Sequence, residues 1–258
     1  MSTGHQTANA ATLRRSGTAE SLGLPARIRA CLFDLDGVLT QTAQLHAAAW
    51  KETFDSFLRD RSVRTQEPFV AFDSGFDYER YVDGRARHDG VREFLAARGI
   101  EVNAATVDEI AERKNERVLE LIRRRGLEPY EGSVRYVRAV RDAGLRRAVV
   151  SASANCRAAL KAAGLTDLFE VRIDAARARA EHLRGKPAPD TFLAAARMFN
   201  VGPGDAAIFE DALAGVAAGR AGGFGFVVGV DRTGHGDSLR RAGADLVVSD
   251  LAELLERR

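Results

Sequence analysis

The sequence predicts an α/β protein in which a doubly wound parallel sheet carries an inserted all-helical cap. Two observations lead there. After Tyr130, short apolar runs alternate with amphipathic stretches to the end of the chain, the order that a parallel sheet with helices on both faces requires. Before Tyr130, a single short apolar run is followed by a purely helical pattern from about Leu45 to Arg125. With 258 residues, 45% hydrophobic and 29% charged, the chain is long and apolar enough to bury such a core.

Taken in order, residues 1–27 are rich in Ser, Thr, Ala and Arg and read as a disordered tail. Arg29–Asp34 (RACLFD) is a buried strand whose end opens into a loop at Gly37. The helical stretch holds LHAAAWKETFDSFL, DGVREFLAARG and VDEIAERKNERVLELIRRRG, with Gly99 and Gly126 as helix stops. SVRYVRAVRDAG then predicts a helix, RRAVVSAS a strand, NCRAALKAAG a helix, LFEVRI a strand and PDTFLAAARMF a helix. AAIFED, GFVVGV and DLVVS are further strands, separated by ALAGVAAGRAG and a basic helix, and DLAELLERR closes the chain as a helix. The expected organisation is a Rossmann-like core over 28–42 and 128–258 with a cap over 43–127. Crossings near Thr40–Thr42 and Arg125–Glu131 would join the two and serve as hinges.

A formal net charge of +2, with basic residues scattered along helices, argues against a nucleic-acid partner. Cys31 and Cys156 have no metal-ligand spacing and are expected to be packed thiols. No apolar run reaches the roughly 18 residues of a membrane helix, and residues 1–23 have no hydrophobic signal core, so a cytoplasmic location with no membrane partner is expected; the chain is also expected to be a monomer. Of 38 basic residues only Lys51, Lys114, Lys161 and Lys186 are lysines, so a retained lysine is either a place where a point ammonium is wanted or a leftover of an arginine-rich composition.

Asp34 and Asp36, in DLDGVLT, stand two apart where a strand ends, and like charges so close call for a cation or a proton between them. Alone, the pattern also fits a turn of solvated acids. Three later segments reach the same sheet edge. RRAVVSAS delivers the hydroxyls of Ser151 and Ser153 before a helix start at Asn155, a seat for phosphate. GKPAPD delivers Lys186, and AAIFED delivers Glu210 and Asp211. Carboxylates for a hard cation, a hydroxyl and an ammonium thus converge.

DLDGVLT, the SAS segment, GKPAPD and EDALAGV resemble the four ordered motifs of the haloacid dehalogenase superfamily. TQTAQLHAAAWK, Arg113-Lys114-Asn115, Ser151-Ala152-Ser153 with Asn155, and KPAPD resemble the β-phosphoglucomutase family over nearly all the chain after the tail. The resemblance implies that Asp34 attacks phosphorus and becomes an aspartyl phosphate, while Asp36 acts as acid and base. It implies Mg²⁺ held by Asp34, the Asp36 main-chain carbonyl, Glu210 and Asp211, with Ser151 and Lys186 on the transferring phosphoryl group. In the cap it implies that Arg87, in the loop with Gly84, binds a second, non-transferring phosphate with help from Ser153 and Asn155. His46 and Lys114 would bear on Asp36 and on substrate hydroxyls. The implied partners are sugar phosphates, β-glucose 1-phosphate and glucose 1,6-bisphosphate.

Two positions depart from the family pattern: Gln41 stands where an acid usually follows the motif threonine, and Asp174–Arg184 is longer and more basic than usual. That stretch is either an added loop near the site or plain surface. Isomerisation of β-glucose 1-phosphate to glucose 6-phosphate is the leading expectation. A sugar-phosphate phosphatase uses the same aspartates and metal, and a non-catalytic regulator on the same fold is the remaining alternative.

Overall fold

The computed structural model describes residues 19–257. Six strands form one parallel sheet: β1 (Ala30–Phe33), β2 (Arg146–Val150), β3 (Val171–Ile173), β4 (Ala206–Glu210), β5 (Phe226–Val230) and β6 (Leu246–Val248), in the order β3-β2-β1-β4-β5-β6. β1 is central and all four of its residues are fully buried, as an apolar run covered by helices on both faces must be. Its side chains alternate between two apolar clusters, Cys31 and Phe33 on one face and Ala30 and Leu32 on the other. Phe33 stacks on Phe209 of β4 at 4.4 Å between ring centroids. The strand order reverses at β1, so a crevice opens at the carboxyl ends of the central strands.

Helices α4 (Glu131–Asp142), α5 (Cys156–Ala162), α6 (Ala175–Ala180), α7 (Asp190–Met198), α8 (Leu213–Ala221) and α9 (Gly236–Ala242) connect or flank these strands. Between β1 and α4 lie α1 (Ala43–Thr65), a π-helical turn over Tyr78–Val82, α2 (Arg87–Ala97) and α3 (Ala104–Arg125). This stretch has an apolar cluster of its own, in which Trp50, Phe54, Phe72 and Phe94 pack ring against ring. The two connections run side by side: Thr40 bridges Pro129, the Gln41 amide donates to the Glu128 carbonyl at 2.9 Å, and the Tyr130 amide to that of Leu39 at 2.9 Å. The Gln41 side chain donates to the Pro129 carbonyl at 3.4 Å, so the residue that departs from the family pattern faces the other crossing.

Three local expectations are corrected. The expected tail lies outside the described residues over 1–18, but 19–27 is packed. Ala19–Leu22 forms a 3₁₀ turn, and Ala19, Leu22 and Leu24 are buried beside Tyr136, whose hydroxyl donates to the Leu22 carbonyl at 3.0 Å. So few apolar side chains are too short a run to show a period. The closing helix is a 3₁₀ segment, Leu251–Leu255, opened by a capping box between Asp250 and Glu253; Leu251 and Leu254, three apart, fit three residues per turn. The strand expected over LFEVRI is shorter, because Thr166–Leu168 coils into a 3₁₀ turn first. Both cysteines are free and buried. Among the described residues no helix is long and apolar enough to cross a membrane.

Candidate active site

Parallel pairing aligns Phe33 of β1 with Val149 of β2 and with Phe209 of β4. The residues that follow therefore leave the sheet at one edge: Asp34 after β1, Ser151 after β2, and Glu210 and Asp211 at the end of β4. The Asp34 amide continues the ladder by donating to the Phe209 carbonyl at 2.9 Å. Lys186 reaches the same point from the loop before α7; its Nζ donates to Asp34 Oδ1 and, at 3.1 Å, to the Val150 carbonyl, and it pairs with Glu210. Oxygens of Asp34, Glu210 and Asp211 lie within 4.8 Å of one another, and all three residues are buried.

Burial raises the carboxyls of Asp34 and Asp211 and takes Glu210 to about 8; the neighbouring carboxylates of Asp83, Asp34 and Glu210 push Asp211 up further. Burial alone would lower Lys186, but Asp34 and Glu210 outweigh it and keep the ammonium charged. Three acidic side chains thus share one ammonium in a dry place, and among the described residues the only partner of Glu210 Oε1 is that same Lys186 ammonium. A set of oxygen donors of this kind fits a hard divalent cation such as Mg²⁺. Gly37, at φ +83°, allows the arrangement: a Cβ there would overlap the Asp211 carboxylate.

The Asp36 side chain stands outside this cluster. It accepts a hydrogen bond from the Thr42 hydroxyl, and His46 Nε2 lies 3.5 Å from its Oδ1. Lys114 Nζ is 3.0 Å from the other ring nitrogen, His46 Nδ1, and 4.9 Å from the Trp50 ring centroid. Burial lowers Lys114 to about 8, and burial together with the Lys114 charge holds His46 well below its ordinary value. An ammonium only donates, so Nδ1 of the neutral imidazole accepts and Nε2 carries the proton toward Asp36. Burial raises Asp36 while the Thr42 hydroxyl, Lys114 and Lys186 draw it back, an environment suited to a group that both gives and takes a proton.

A cavity of about 230 Å³ separates these groups from the cap, and Arg87, Gly84, His46 and Lys114 line it from that side. Arg87 Nη2 donates to Glu112 at 3.2 Å, and Asn115 donates to the other oxygen of Glu112 at 3.1 Å. Asn155 Nδ2 donates across the cavity to Asn115 Oδ1 at 2.9 Å. Asn155 stands at the N-cap of α5, yet its side chain makes no capping bond. Its amide instead donates to Ser153 Oγ at 3.1 Å, as the Ser153 amide does to Ser151 Oγ at 3.1 Å. Gly84, at φ +67°, lets the cap loop touch the core, since a Cβ there would sit 2.7 Å from that of Ala212.

All twelve residues singled out from the sequence thus stand at or beside one site, with the Asp36 side chain turned away from the carboxylate cluster. Asp174–Arg184 belongs to the site as well: Asp174 caps α6, and Ala175, Ala178, Arg179 and Leu183 line the cavity. Sequence reasoning missed Thr42, Asp83 and Glu112. Thr42 could have been found from its place in the first crossing; Asp83 and Glu112 carry no local signal, being acids on helical or loop surface until the chain folds.

The family model for haloacid dehalogenase-like hydrolases matches residues 28–223. Beta-phosphoglucomutase of Mycobacterium bovis is 54% identical over 246 residues, covering 91% of this chain and 94% of the relative. Beta-phosphoglucomutase of Bacillus subtilis is 32% identical over 232 residues, covering 88% and 92%. The crystal structure of beta-phosphoglucomutase from Clostridium difficile has a TM-score of 0.69 at 27% identity, covering 88% of this chain and 93% of that one.

Proposed function

Because the chain belongs to the haloacid dehalogenase superfamily and, within it, to the β-phosphoglucomutase family, we propose that it interconverts β-glucose 1-phosphate and glucose 6-phosphate through an aspartyl phosphate on Asp34. The observation that carries this reading is the division between two aspartates two residues apart. Asp34 lies in the buried cluster with Lys186, Glu210 and Asp211, whereas Asp36 is turned to Thr42 and His46. One is placed to attack phosphorus and the other to move a proton.

Asp34, the Asp36 main-chain carbonyl, Glu210 and Asp211 would hold Mg²⁺, which supplies charge neutralisation on the equatorial phosphoryl oxygens. Lys186 and the Ser151 hydroxyl hold the transferring group against Asp34 Oδ. In one half-reaction protonated Asp36 gives its proton to the leaving sugar oxygen; in the other its carboxylate takes the proton of the incoming hydroxyl. Arg87, with Ser153 and Asn155, grips the phosphate that is not being transferred, and Lys114 faces the sugar. Closure of the cap keeps water from the aspartyl phosphate, and between the half-reactions, with the phosphoryl group on the sugar, the bisphosphate turns end for end.

The test is to supply the purified protein with Mg²⁺, β-glucose 1-phosphate and a trace of glucose 1,6-bisphosphate. Glucose 6-phosphate and free phosphate are followed together, with Asp34→Asn as control. The expected result is glucose 6-phosphate with little free phosphate, abolished by the substitution. Free phosphate as the main product would make the protein a sugar-phosphate phosphatase instead.

A further inference from the structure

We propose that the loop after β5, residues 231–236, is a clamp that holds the two halves of the cation-binding face in register, with Arg232 and His235 as its positioning residues. The inference rests on the cation reading given above and adds to it residues from a part of the chain that contributes no ligand.

The loop is built around one carboxylate. Asp231 Oδ1 accepts from the amides of Thr233, Gly234 and His235 at 3.2, 2.7 and 2.9 Å, and Oδ2 from that of Gly236 at 2.9 Å. Four main-chain donors on one side chain leave the loop little freedom, so what it carries is fixed in space. Its two long polar side chains then go to different loops of the site. His235 Nε2 lies 3.1 Å from the main-chain carbonyl of Asp211. A carbonyl only accepts, so Nε2 bears a proton, while Nδ1 faces the Thr233 hydroxyl and lies 3.6 Å from Asp231 Oδ1. Arg232 Nε donates to the Gly37 carbonyl at 3.2 Å, one residue past Asp36.

The rest of Arg232 is equally committed. Nη1 donates to the Ser249 carbonyl at 2.7 Å and to Asp250 at 2.9 Å, Nη2 donates to the Ser133 hydroxyl at 3.2 Å, and the guanidinium lies 3.7 Å from the Tyr130 ring centroid. Ser133 in turn donates to the Val38 carbonyl at 2.7 Å, so two successive carbonyls of the nucleophile loop are held from this side. Gly37 and Asp211 are the point at which the two ligand-bearing loops touch, with no room for a Cβ between them. The clamp therefore grips the main chain on both sides of that contact. Cation affinity depends on how closely Asp34 and Asp211 are kept to their spacing, and partners of ligating residues commonly change it by about 10–100-fold.

The test is calorimetric titration of the full chain with Mg²⁺ alone, together with the melting temperature of the cation-free protein. The proteins compared are the unaltered chain, His235→Ala, His235→Gln, Arg232→Gln and Asp211→Asn. His235→Ala and Arg232→Gln are expected to weaken Mg²⁺ binding by about tenfold or more. His235→Gln, which keeps an N–H donor, should recover most of the loss. Should His235→Ala not fold, Arg232→Gln and His235→Gln decide the matter: Arg232→Gln must bind more weakly than His235→Gln. Binding by folded His235→Ala and Arg232→Gln as tight as that of the unaltered chain would overturn the clamp while leaving the cation reading intact. If the unaltered chain bound no Mg²⁺, or if Asp211→Asn bound it undiminished, the cation reading itself would fall, and the clamp with it.

Discussion

The half of the site that belongs to the sheet takes its place from main-chain register, whereas the polar contacts of the cap half are made between side chains. Asp34 stands one residue after a fully buried strand and its amide extends the ladder, so its place follows from the register of β1 against β4. Lys186, Glu210 and Asp211 are likewise buried around it. On the other half, His46 reaches Asp36 at 3.5 Å, Arg87 reaches Glu112 at 3.2 Å, and Asn115 meets Asn155 at 2.9 Å, each from a helix or loop surface. The contrast separates duties. On the proposed reaction, chemistry at phosphorus would draw its fixed atoms from the sheet, and choosing a substrate would fall to contacts that a phosphate or a sugar hydroxyl can replace.

Three substitutions probe that division. Asp36→Asn keeps the shape of the side chain and removes its proton transfer, so turnover should fall by about 10²–10⁴-fold in a coupled glucose 6-phosphate assay. If a loss that large is absent, the sheet half does not hold the proton carrier. Arg87→Ala should act on the cap half only, lowering kcat/KM for the bisphosphate by about 10–100-fold, on the scale of a charge-assisted bidentate contact. Hydrolysis of a small monophosphate should change little, and an equal loss on both substrates would show that the halves are not separable.

Lys114→Met, in the buried place where the ammonium lies over Trp50, should give the smallest effect, about tenfold at neutral pH, and should also move the pH profile. The Lys114 charge holds Asp36 down. Without it Asp36 gives up its proton at higher pH, so the acid limb of the rate profile should shift upward. A profile that stayed in place would break the coupling drawn from Lys114 through His46 to Asp36.

Much of this site was legible before folding because each core group sits at a fixed offset from an apolar run. RACLFD, RRAVVSAS and AAIFED each bury themselves, and burying a strand puts its next residue at the sheet edge whatever the rest of the chain does. Lys186 was conspicuous for a different reason, as one of four lysines in a chain that otherwise uses arginine. Asn155 shows the limit. Its place before a helix suggests a cap, but its side chain donates instead to Asn115, forty residues earlier in the chain.

The sequence by itself determined which strands form, in what order, and which carboxylates, hydroxyls and ammonium their ends deliver, because burial of a short apolar run is a local property. Tertiary structure alone decided the rest. The Arg232 bond to Gly37 spans 195 positions, the His46 contact with Lys114 spans 68, and the packing of Leu22 and Leu24 depends on Tyr136. Partners so far apart share no period and no spacing. Only the folded chain sets which donor meets which acceptor, since each such bond depends on the placement of every element between its two ends.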